Sequence, residues 1–130
     1  MVQNERAGIQ EELRIGIGNE EAVTLKPETV KVINVRIEEV GTKKAKKLVC
    51  SVKHSAKQEP ISISSVKYEN KGKLETAGLW VNLDAKGLIR KGSALATFLQ
   101  YAGCKTPEDL ILKDLQTTTD EKNYLCFKAY

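Results

Sequence analysis

The side chains best suited to chemistry in this sequence are a few aromatic and basic residues spaced along extended stretches. In "NYLCFKAY", Tyr124, Lys128 and Tyr130 fall at even spacing, so on a β-strand they share one face. In "GLWVNLD" the single tryptophan, Trp80, alternates with Leu79 and Val81 and is expected to point away from them. Arg36, Lys53, Lys67, Lys71 and Lys73 stand on or beside neighbouring extended runs, and Tyr68 joins them where the alternation shifts. Aromatic faces accept stacked planar rings, while ammonium and guanidinium groups hold phosphate oxygens. That combination suits a flexible chain of bases and phosphates. Aromatic residues make up only 5% of the chain, so such a platform would hold few rings.

Catalytic chemistry finds less support. His54 is the single histidine, and no serine, cysteine or acid stands near it at the spacing of a nucleophile and its base. The acid pairs Glu38–Glu39 and Glu108–Asp109 are adjacent in sequence. On a strand, adjacent residues face opposite ways, and at a helix start acids serve the dipole. "RKGSAL" places lysine before glycine, whereas a phosphate-binding loop needs Gly-Lys-Ser/Thr at fixed distance from an earlier glycine. "GIG" lacks both a third glycine and a preceding strand. A non-catalytic protein without cofactor is the expectation.

Cys50, Cys104 and Cys126 make an odd count, which argues for reduced thiols rather than a disulfide framework. No two of them lie two to four residues apart, so no zinc ligand pattern arises and no metal is expected. No apolar run nears the ~20 residues of a membrane span, and "MVQNERAGIQ" lacks a secretory profile. The expected setting is cytoplasmic, with no membrane partner.

The formal net charge is +4, unevenly spread. Residues 42–91 hold twelve basic and four acidic side chains, while the flanking segments are both net acidic. A basic block of this kind is a footprint of a polyanion partner, or lysines solvating hairpins and guarding sheet edges.

The elements that must position these residues follow from periodicity. Residues 1–28 form an N-terminal extension, with a short helix expected in "NERAGIQEEL", and residues 29–130 form the domain. In "VKVINVRIEEV", Ile33, Val35 and Ile37 are expected on one face. "GTKKAKK" is a lysine turn, and "LVCSVKH" resumes alternation with Leu48, Cys50 and Val52 inward. "PISISSVKY" switches parity at Ser64–Ser65, which predicts a bulge or bend that curls the sheet. After the "ENKGK" turn, Leu79, Val81 and Leu83 are expected inward. Leu95, Phe98, Leu99 and Ala102 then build one helical stripe, with Ser93 as N-cap and Gly103 as stop. "TPED" starts a second helical turn, and two strands around "TDEKN" finish the chain, with Leu125, Phe127 and Ala129 on one face.

The order of strands, one helix and two strands predicts a mainly β domain with one or two short helices: an OB-like barrel, closed or partly open. A β-grasp or another small α+β roll is the alternative. The segment "KGSALATFLQYAGCKTPEDLILKDLQTTTDEKNYLCFKAY" resembles the C-terminal half of small phage-like and archaeal OB-fold proteins associated with single-stranded DNA. Those proteins share a helix ending in glycine, a connector and a closing hairpin with an aromatic-rich last strand. The resemblance runs over about Lys31 to Tyr130 in order of elements, and departs at Lys113–Asp114, where such proteins often carry Gly-Lys. It implies binding of single-stranded nucleic acid. The competing expectation is a protein-interaction or homo-oligomerisation module that uses the tyrosines of the terminal strand.

Overall fold

The computed structural model describes residues 25–130. The expected N-terminal helix lies outside the described residues. Strands β1 (Val30–Val40) and β2 (Ala45–Lys53) form a long antiparallel hairpin. The strand after it is broken at Ser64 into β3 (Ile61–Ile63) and β4 (Ser65–Asn70). This is the bend that the parity switch predicts. β3 pairs with β2, and β4 pairs with β5 (Lys73–Gly78) across a tight turn in which Lys71 and Gly72 both have positive φ. Helix α1 (Ala94–Tyr101) follows, then a single 3-10 turn (Pro107–Leu110). The chain closes with β6 (Asp114–Leu115), β7 (Thr117–Thr119) and β8 (Leu125–Ala129).

The strands form two sheets, ordered β3-β2-β1-β6 and β5-β4-β8-β7. The strand bent at Ser64 and the one bent at Gln116 each belong to both sheets. Followed through these bends, neighbours run β1, β2, β3–β4, β8, β7–β6 and back to β1. The parallel pairing of β4 with β8, Val66 opposite Phe127, is the link that antiparallel hairpins alone would not supply. The result is mainly β, an OB-like and partly open barrel.

Inside lie Val30, Val32, Leu48, Cys50, Val52, Ile63, Val66, Leu79, Phe127 and Ala129. Helix α1 seals one end through Leu95, Phe98 and Leu99, all buried. The Phe98 and Phe127 rings stack at 4.8 Å, joining helix to last strand. Ser93 caps the helix by accepting from Ala96 N–H at 3.1 Å, and Gly103 takes a positive φ just past its end. The glycine is needed there because other residues resist that conformation.

Two expectations are corrected. Ile33 does not share the face of Val35 and Ile37, because β1 bulges between Val32 and Asn34; the extra residue hands the core to Val30 and Val32 and resets the alternation at Val35. Leu83 is 51% exposed, since the chain after Val81 leaves the sheet and pairs only locally, with Ile89.

The chain before β1 is clasped by polar groups. His54, 1% exposed, directs Nε2 at the Lys26 carbonyl (2.8 Å) while Nδ1 accepts from Ala56 N–H at 3.1 Å. This pairing requires the proton on Nε2. The Glu28 carboxylate accepts from the Ser55 hydroxyl and backbone N–H, and the Glu28 backbone exchanges hydrogen bonds with the Thr117 hydroxyl. Among the described residues, no helix is long and apolar enough to cross a membrane.

Two outcomes follow from the core and the clasp. Phe98→Ala removes the plug and one ring of the stack, and should cost about 3–5 kcal/mol in urea unfolding. The Ser55 hydrogen bonds, hydroxyl first and backbone N–H second, hold the Glu28 carboxyl below its ordinary value of 4.5. Its contribution is therefore present above pH 4.5 and lost as pH falls through the lowered value. The stability difference between native protein and Glu28→Gln should be largest above that pH and shrink in acid; a pH-independent difference would contradict this.

Candidate functional site

The outward faces of β1, β2 and β3 carry one ordered set of polar side chains. Asn34, Arg36 and Glu38 project from β1, and Lys47, Val49, Ser51 and Lys53 from β2, with Ser62 on β3 beside Ser51. Arg36 lies across β2: its guanidinium donates to Glu38 (2.8 Å), Ser51 (3.0 Å) and Ser62 (3.2 Å). Val49 faces Arg36 and is buried although it points outward, as expected beneath a long aliphatic stem.

At the far end of this face sits Trp80. After β5 the backbone crosses to the edge of β2, where Leu48 N–H donates to the Leu79 carbonyl and Val81 N–H to the Lys46 carbonyl, both at 2.8 Å. Leu79 thereby enters the core and Trp80 is left outside, directly opposite Lys47. The Lys47 ammonium stands 4.9 Å from the indole centroid, within cation–π range. The indole is half-buried against Gly78. Lys43 and Lys44 lie in the turn of the same hairpin, and Lys46, one position before Lys47 on β2, points to the opposite face.

The ten residues singled out from sequence do not share one surface. Arg36, Lys53 and Trp80 lie on the β1–β2–β3 face. Lys67 and Lys128 are paired neighbours on the outer face of the other sheet, and Lys67 donates to the Thr119 carbonyl at 3.3 Å. Lys71 and Lys73 stand at the tip of the β4–β5 hairpin. Tyr124, 68% exposed, immediately precedes β8, at the end of a turn organised by Asp120. Tyr130 lies at the other end of that strand under the Lys128 ammonium, and its carbonyl accepts from the Tyr101 hydroxyl. Tyr68 is corrected: it packs against the core, because the bend at Ser64 turns the parity of Val66 and Tyr68 inward. Lys47 escapes notice in sequence, although the inward alternation of Leu48, Cys50 and Val52 already marks it as outward. What sequence lacks is its partner, thirty-three residues away.

Reactive groups are few. His54 is committed to the clasp. All three cysteines are buried free thiols. Burial pushes Cys50 up to about 12 and Cys126 to about 11, and raises Cys104, so none is a ready nucleophile. Among the described residues no three His, Cys, Asp or Glu side chains gather as a metal site. Set beside known proteins, the chain matches no family model, no curated protein and no solved structure.

Gly78 sets the position of the indole. A methyl group there would lie 2.7 Å from Trp80 Nε1 and 2.9 Å from Lys47 Cε, so the ring must move. Gly78→Ala should red-shift the emission of the sole tryptophan and increase its quenching by acrylamide, with little change in far-UV circular dichroism.

Proposed function

We propose that this barrel is a non-catalytic binding protein for single-stranded nucleic acid, and that the ligand lies on the outer β1–β2–β3 face. The observation that carries the reading is Trp80, held outside the core by strand pairing and set against Lys47 of the lysine-bearing first hairpin. An indole outside the core offers a stacking surface that tolerates any base, and the lysines supply the phosphate attraction that extends it along a strand. Ser51 and Ser62 provide hydroxyl partners between Trp80 and Lys53 along the same face. Arg36 contributes through its shape more than its charge, since Glu38 pairs with it at 2.8 Å. The resemblance in order of elements to OB-fold proteins associated with single-stranded DNA supports the same reading. Three unpaired thiols support a cytoplasmic setting, where cysteines stay reduced.

A labelled oligonucleotide titrated at two salt concentrations tests the proposal by fluorescence anisotropy. Affinity should fall with salt, as contacts between the hairpin lysines and phosphates require. Trp80→Ala should weaken binding by about 1–3 kcal/mol, roughly 5- to 150-fold. Tyr124→Ala, on the other sheet, should leave it unchanged. Absence of binding at low salt, or loss through Tyr124 in place of Trp80, would overturn the assignment.

A further inference from the structure

β1 is paired on both sides only at its start. Val30 and Lys31 face β6, and Val32 exchanges backbone hydrogen bonds with Leu112 and Lys113. From Ile33 to Val40, among the described residues, β2 is the only strand partner. That run is solvent-exposed along most of its length, with Ile37 50% exposed and Val40 42%. Beside it runs a groove of about 480 Å³ between Val35, Ile37 and Leu48 on one side and Thr106–Glu108 on the other. An unpaired strand edge next to apolar side chains is a template for another strand.

The sequence of the edge says which strand. In antiparallel pairing, residues directly opposite share a face, so a strand pairing with its own copy must be symmetric about one of its residues. Symmetry about Arg36 would set two arginines opposite each other, and symmetry about Glu38 or Glu39 would set two glutamates so. Symmetry about Val35 opposes Arg36 with Asn34 and shortens the overlap, because Val32 is already paired to the Leu112–Lys113 turn. Symmetry about Ile37 brings Arg36, which pairs with Glu38 of its own chain, opposite Glu38 of the second copy as well, twice, and sets the two exposed Ile37 side chains against each other. Opposite charges directly across a ladder stabilise it and like charges oppose it.

We infer that the chain forms a two-fold dimer through antiparallel pairing of β1 with β1, from Asn34 to Val40, centred on Ile37. The inference stands independently of the nucleic-acid reading. Because the two-fold axis of an antiparallel pair is normal to the sheet, the outer faces of the two copies, each with its Lys47 and Trp80, come to lie on the same side.

Light scattering on size-exclusion fractions of the full chain tests this. The native mass should approach two chains as concentration rises. Arg36→Glu and Glu38→Arg should each return it to one chain, and the double exchange R36E/E38R should restore the pair. A second probe avoids dependence on the stability of those variants. With diamide as oxidant, Ile37→Cys should give a disulfide-linked dimer on a non-reducing gel. Val40→Cys, which would oppose Asn34, should not, and neither should the native chain with its buried thiols. A native mass of one chain at every concentration, a dimer indifferent to the single charge reversals, or equal cross-linking from positions 37 and 40 would overturn the inference.

Discussion

A strand that bends can keep hydrogen-bonding neighbours on both sides while its side chains change from one sheet's interior to another's. Ser64 and Gln116 mark two such bends, and the rest of the barrel hangs on them. Were β3–β4 straight, Ile63 and Val66 could not both face inward, since they are three residues apart. With the bend, both reach one core, and β4 is delivered to β8 for the parallel pairing that joins the sheets. The curl leaves an open end, which α1 fills with Leu95, Phe98 and Leu99; the stack of Phe98 on Phe127 ties that plug to the last strand.

The outer surface is shaped by the same constraint. Once the chain leaves β5 it needs partners for its backbone, and the edge of β2 beyond β3 offers them. Taking them buries Leu79 and leaves Trp80 outside, with Lys47 opposite. The aromatic–cation pair is therefore a by-product of backbone accounting: the polar groups of residues 79–81 had to be satisfied, and β2 had the vacant edge. Gly78 matters because a side chain there would collide with the indole. A similar economy acts at the other end of β2. Lys26 to Glu28 form no strand, so His54, Ser55 and Thr117 supply side-chain partners in place of a ladder.

Those demands also decide which polar residues are free for chemistry. His54, a tempting base in isolation, is consumed by two backbone groups. The cysteines are buried, with thiols held protonated by desolvation. Arg36 is divided among Glu38, Ser51 and Ser62. Lys43 and Lys44, in the turn of the first hairpin, have no ion-pair partner among the described residues, and the half of β1 beyond Val32 has no strand on its second side.

Local physics made part of this legible without coordinates. The helix stripe, the serine cap, the glycine stop, the bend at Ser64–Ser65 and the inward set Leu125, Phe127 and Ala129 all rest on contacts within a few residues, which the spacing of side chains encodes. The faces of Ile33, Leu83 and Tyr68 are not encoded in this way, because they depend on a bulge, a departure from the sheet and a bend. Each of these counts the strand's parity from a different starting point. The meeting of Trp80 with Lys47 was beyond reach for another reason: it is set by which backbone edge was left vacant. A vacancy belongs to the assembled sheet and has no signature in any one stretch of chain.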